Sequence, residues 1–389
     1  MVKTHCPAVA VPAITPCDPD ELAPLIEFLE RDEPADTTTS FPRGTVLPGG
    51  RLDLCKQSIG PDGAERVLAA LRGNRSIRSI LFGTGAIGNE GAAAVAAALD
   101  AGLALDTVYL GCNRIDGDGA KLLAEAVARS RVHALWLKRN PLGLAGAQRI
   151  AELVARGAPL QVLDLFNCEL GDDGVAEVAA ALASPASRVE HVYLGGNAAG
   201  PLAVAALAAM LATTRTLRSL QLSASRFAGL GGTLAAGLAR NTSLEALALA
   251  SCQLDADGGA AIAASLARHP RLLSLDLGYA TSARALGEPE NMIGNAGAPA
   301  LADLVRANGP LRSLDLRWNG ITSRGAMPIL EALHANGSLV ELGLHHFVAR
   351  TIRRSIRRKL AANAASSPFA PAMPPHVAAI QSVYRAPRG

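Results

Sequence analysis

The sequence predicts an α/β solenoid, built from short strands that alternate with amphipathic helices. Three observations carry this. Apolar residues recur at a fixed step of 27 to 29 residues. Within each step a two-residue apolar alternation gives way to a three-to-four-residue one, the change from a half-buried strand to a helix. A glycine stands at the same place in nine of ten units.

Residues Leu311 to Ser338 display the unit. Leu314 and Leu316 alternate with Asp315 and Arg317, Gly325 marks a turn, and Leu330 and Leu333 follow at helical spacing. One such unit cannot bury its apolar side alone and needs copies on either side. The copies start at Gly49, Ile77, Leu105, Val132, Leu160, Val189, Leu217, Leu244, Leu272, Leu311 and Leu339, with a single longer step of 39 after Leu272. The fifteenth position is Gly63, Gly91, Gly119, Gly146, Gly174, Gly231, Gly258, Gly297 and Gly325, broken by Ala203. The ninth is Asn113, Asn140, Asn197, Asn291 and Asn319, with Cys168 and Cys252 as substitutes and Gln57, Gly85 and Ser225 as departures. An asparagine there can bond backbone groups of the adjoining coil that burial would otherwise leave unpaired.

The pattern LxxLxLxx(N/C)x(L/I) followed by a helix resembles the leucine-rich repeats of the ribonuclease-inhibitor-like class. That class includes the repeat domains of nucleotide-binding immune receptors and of the Ran GTPase-activating protein. The resemblance implies a horseshoe of about eleven parallel strands on the concave face, with helices on the convex face. Curvature follows because strands stack about 4.8 Å apart while packed helices need about 8–10 Å.

Along the chain, residues 1–45 fall outside the repeat and lack the apolar run of a signal peptide. Asp18-Pro19-Asp20-Glu21 before Leu22, Leu25, Ile26 and Leu29 reads as a capped helix that would cover the first coil. His5, Cys6 and Cys17 are spaced too irregularly for a metal set. The repeats occupy 46–346. Residues 192–214 carry no charge for 23 positions, yet Gly195, Gly196, Asn197, Gly200 and Pro201 interrupt them where the repeat wants a loop. The long step places an insertion at 279–290, holding Tyr279, Arg284, Glu288 and Glu290, which reads as a loop at one rim. Because it breaks no leucine or glycine position, it is expected to be dispensable for folding. Phe347, Val348, Ile352, Ile356 and Leu360 give a helical stripe over 347–360, a basic C-terminal cap. Contact of its 350–359 charges with nucleic acid or membrane is disfavoured, since no aromatic residue interleaves with them. Residues 361–389, with five prolines, are expected to be unstructured.

Net charge is +3, with +8 in residues 350–389 and hence −5 in the rest. The six cysteines show no paired spacing, which favours a reducing, cytoplasmic setting. Ala-, Arg- and Gly-rich usage points to a bacterial source, and the resemblance extends to repeats delivered into host cells as effectors.

The concave row reads Asp53, Leu81, Tyr109, Trp136, Asp164, Tyr193, Gln221, Ala248, Asp276 and Asp315, one residue from each strand. Positions further along add Lys138, Arg139, Phe166, Tyr279, Arg317 and Trp318. Aromatics are only 3% of the chain, yet both tryptophans and three of the four tyrosines fall on this face. Such rings beside Arg are the makings of a binding hot spot. His345 and His346 would point to opposite faces if their strand continued. No GxSxG, HExxH, phosphate-loop or CxxC signature occurs. The sequence therefore reads as a non-catalytic scaffold for a protein partner, without cofactor or small-molecule substrate. The alternative, by resemblance, is a GTPase activator.

Overall fold

The computed structural model describes residues 15–307, 309–367 and 373–384. Thirteen strands form one sheet in strict sequence order. Strands β1 (Thr39–Ser40), β2 (Thr45–Leu47) and β3 (Arg51–Asp53) pair antiparallel, and from β3 onward every neighbour is parallel. Eleven strands thus carry the repeat, and each of them is three residues long. A helix returns the chain from one to the next, and it packs against the helices before and after it.

The registers bear out the concave row residue by residue. Asp53 pairs with Leu81, Leu81 with Tyr109, Tyr109 with Trp136, and so on through Asp164, Tyr193, Gln221, Ala248, Asp276 and Asp315. The strand leucines lie beneath this row in one core that runs from Leu22 to Leu360.

The asparagine ladder forms as its chemistry requires. Asn140 Oδ1 accepts from the Asn113 and Ile115 amides at 2.8 and 3.1 Å, while its Nδ2 donates to the Leu110 and Leu137 carbonyls. Cys168 Sγ reaches the Leu137 carbonyl at 3.3 Å, and Cys252 Sγ reaches that of Leu222 at 3.3 Å. Ser225 is too short for the task, and its Oγ is buried without a partner. The insertion interrupts one rung and leaves Asn319 Oδ1 buried and unpaired.

The recurring glycine has a different role from the turn expected of it. Gly325 and its equivalents lie inside the first turns of the helices. A Cβ on Gly231 would fall 2.4 Å from Gly258 Cα, and one on Gly325 3.1 Å from Ala298 Cβ, so at these coils the glycine lets consecutive helices touch. The turn is made three residues earlier, by Gly60, Gly88, Gly143, Gly171 and Gly294, with φ between +59° and +70°.

Both ends of the stack are covered. Asp18 Oδ1 caps a 3-10 turn, Pro19–Leu22, that continues as the helix Ala23–Glu30 and buries Leu22, Leu25 and Leu29. At the far end the helix Arg350–Ser366 buries Ile356 and Leu360. Asn363 Nδ2 there donates to the Asn336 and Leu339 carbonyls of the last coil. Phe347 departs from the expected stripe. It precedes the helix and is 68% exposed.

Two segments differ more deeply from their sequence reading. The insertion is not a free rim loop. Residues Thr281–Leu286 form a helix that folds back as far as the fourth coil before its own, burying Ala283 and Leu286 in a cluster with Ala224 and Phe166. Glu288 fastens it, accepting from Arg226 Nε at 3.0 Å and Gln253 Nε2 at 2.8 Å. The second is the tail. Where composition implied an unstructured chain, helix continues through Ser366, and residues 373–384 lie across the concave face with a helical turn at Pro375–Ala378.

Candidate protein-binding face

Two clusters of rings line the concave side. In the first half, Tyr109 and Trp136 have ring centroids 6.5 Å apart, and Trp136 and Tyr193 5.3 Å apart. Lys138 Nζ stands 5.6 Å over the Tyr109 ring, a cation–π contact. In the second half Tyr279 lies 5.8 Å from Trp318, and Trp318 lies 4.3 Å from His345. Phe166, grouped by sequence with the first cluster, instead packs under the insertion helix with Tyr279. Arg317 is held by Asp315, which accepts from its Nε at 2.8 Å and from its Nη2. Burial and the Asp315 charge raise the Asp276 carboxyl above its usual range, against a hydrogen bond from the Gly278 amide.

Trp318 and Arg139 take left-handed backbone conformations, with φ of 64° and 58°. Each immediately precedes a ladder asparagine, where the chain must reverse to bring the amide inward. Trp318 remains 45% exposed. His345 and His346 do not diverge as a continuing strand would require. The strand ends at Gly343, and the two rings come within 3.9 Å. Among the described residues no three His, Cys, Asp or Glu side chains converge as a metal set. His5 and Cys6 lie outside the described residues, as does the side chain of Arg284. Among those residues, too, no helix is long and apolar enough to cross a membrane.

The feature that sequence reasoning missed is the occupant of this face. Tyr109 and Trp136 are each only 2% exposed, in an apolar cluster that the tail residue Ile380 joins. His376 stacks on His191 at 4.0 Å and lies 6.2 Å from Trp136. The Tyr193 hydroxyl meets His376 Nε2 at 3.1 Å. Ile380 and Val377 join the apolar cluster of Leu81, Tyr109 and Trp136. Arg51 Nη1 donates to the Ala378 and Ala379 carbonyls at 3.1 and 3.3 Å. Asp53 accepts from the Ser382 hydroxyl at 3.1 Å and the Val383 amide at 2.8 Å. The Tyr384 hydroxyl reaches Thr45 Oγ1 at 2.6 Å, so the fourth tyrosine also belongs to this side. A cleft of about 670 Å³ stays open, lined by Trp136, Lys138, Arg139, Asp164, Tyr279 and Ile380 among others. The one available signal was the tail's own His-x-x-x-Ile-x-Ser-x-Tyr string, polar and apolar groups set at intervals within a proline-rich context.

The thirteen-stranded sheet with a helix between successive strands defines a leucine-rich repeat solenoid. The Leucine Rich repeat family matches residues 158–179, 240–263 and 307–330. With the asparagine ladder and a helix in every coil, the chain is a leucine-rich repeat protein that resembles the ribonuclease-inhibitor-like class. It is similar to the ribonuclease inhibitor of Sus scrofa, 29% identical over 231 residues, covering 54% of this chain and 51% of that one. The Mus musculus ribonuclease inhibitor is 26% identical over 223 residues, covering 52% of this chain and 49% of its own. The chain thus spans about half the length of these curated relatives. Among solved structures it resembles an internalin from Listeria monocytogenes, with a TM-score of 0.41, 14% identity and coverage of 81% of this chain and 84% of that one.

Proposed function

We propose that the chain is a non-catalytic scaffold that takes a protein partner on its concave face. The observation that carries this reading is the row of rings on rigid strands, Tyr109, Trp136 and Tyr193, with Tyr279 and Trp318 beyond them. Strands fix these side chains before binding, so little rotamer freedom is lost when a partner covers them. The face is already complementary to polypeptide, since it holds nine residues of the chain's own tail. Lys138 and Arg139 beside the open cleft suit a partner bearing acidic groups. The ribonuclease inhibitors to which the chain is similar bear a protein target in their name, which supports a protein partner and leaves its identity open.

Affinity capture with mass spectrometry identifies the partner, and the captured complex then tests the face. Trp136→Ala and Trp318→Ala are each expected to weaken binding by about 2 kcal/mol or more, as truncation of a hot-spot residue does. If both variants bind as tightly as the parent, the concave reading fails.

A further inference from the structure

We infer that the groove between β3 and β8 (His191–Tyr193) is a binding site for a short segment of a partner protein, and that residues 376–384 occupy it in cis as a stand-in. The inference rests on the concave-face reading above and deepens it by giving the ligand a chemistry. The segment carries a flat ring, an aliphatic side chain four residues later, and a hydroxyl two residues after that.

Each part is set by a contact. The ring slot lies between His191 and Trp136, with the Tyr193 hydroxyl at its edge. The aliphatic seat is the trough of Leu81, Tyr109 and Trp136 that takes Ile380. The hydroxyl site is Asp53. Between them the groove reads backbone alone. Arg51 takes two carbonyls and Asp53 takes one amide, groups that every polypeptide supplies. A foreign segment can therefore repeat the same contacts.

The tail is also an imperfect fit, which makes it displaceable. In the docked state Trp136 Nε1 and His191 Nδ1 are buried with no hydrogen-bond partner. Unpaired buried donors and acceptors weaken the state that contains them. A partner segment offering groups to those two nitrogens would outbid the tail. The tail is covalently joined to the chain it binds, so it competes at a local concentration on the order of millimolar. It therefore screens out weak ligands and admits better ones.

The test uses the full chain and a fluorescein-labelled synthetic peptide of residues 373–384, followed by anisotropy. In a tail-release variant, Ile380→Asp with Tyr384→Ala, the peptide is expected to bind at least tenfold more tightly than to the parent, whose own tail blocks the groove. The same peptide carrying Ile380→Asp should lose that binding. Both substitutions lie outside the main leucine core, so the variant should keep its circular dichroism and melting profile. Its tail release is checked by acrylamide quenching of Trp136 in a Trp318→Phe background, where Trp136 is the only tryptophan. A released, folded variant that binds the peptide no better than the parent overturns the inference. So does binding indifferent to the Ile380→Asp change in the peptide, or a parent that dimerises by exchanging tails. None of these outcomes touches the capture experiment, so a Trp136-dependent partner could survive while this inference fails.

Discussion

At the scale of single residues, His376 gives the docked tail a pH dependence. Burial first, and then the neighbouring His191, push its pKa down to about 4. An undocked histidine titrates near 6.5. The docked state thus holds fewer protons, so docking is fully favourable above about pH 6.5 and weakens as pH falls from there towards 4. His191 is lowered as well, by burial and Arg218, with Glu190 and Glu245 acting against the shift, and it works in the same direction. Acrylamide quenching of Trp136 in the Trp318→Phe chain should rise between pH 7 and 5, and a flat profile would count against this linkage. A second residue-scale prediction concerns the ladder. Asn140→Ala removes a side chain that serves four backbone groups, and equilibrium urea unfolding should register a loss of about 2 kcal/mol or more. The sequence made Asn140 legible because its role is dictated by the repeat. His376 was opaque, since its partners His191 and Trp136 lie about 185 and 240 residues away and no periodicity links them.

Among the elements, strands and helices followed from the apolar period, and each residue of the concave row stands in the register that the period assigned. The recurring glycine was legible as a position but not as a cause. A fixed glycine signals either a turn or a close approach, and only the structure tells them apart, since a Cβ added to Gly231 would fall 2.4 Å from Gly258 Cα. The insertion was legible in place and misread in consequence. Its own composition does not reveal that Leu286 joins a cluster with Ala224 and Phe166, residues of coils two and four before its own. Leu286→Ala should therefore cost about 2 kcal/mol or more in urea unfolding, against the null effect expected of a free loop. An unchanged midpoint would return the segment to the status of a rim loop.

Over the whole molecule, a solenoid exceeds the size of a sphere of equal length. A compact chain of 389 residues has a radius of gyration near about 21 Å, and small-angle scattering is expected to give a clearly larger value. An envelope at or below that size would contradict the open sheet. The long-range arrangement was legible because, the insertion apart, each coil's strand and helix contact only their neighbours, which turns the fold problem into a local one. The tail violates that locality, which is why sequence reasoning left it unplaced.

The docked tail has a mechanical consequence. In an ordinary solenoid, strain at one end reaches the other only by passing through every coil in turn. Here Arg51, Asp53 and Thr45 are joined directly to residues 327 to 339 positions later. The described segment crosses the inner side of the sheet from β8 back to β2. While it is docked, β2 and β3 are tied to β8 without passing through the coils between them. When a ligand or acid releases it, that direct tie is lost, and the two ends of the groove are joined only through the intervening coils.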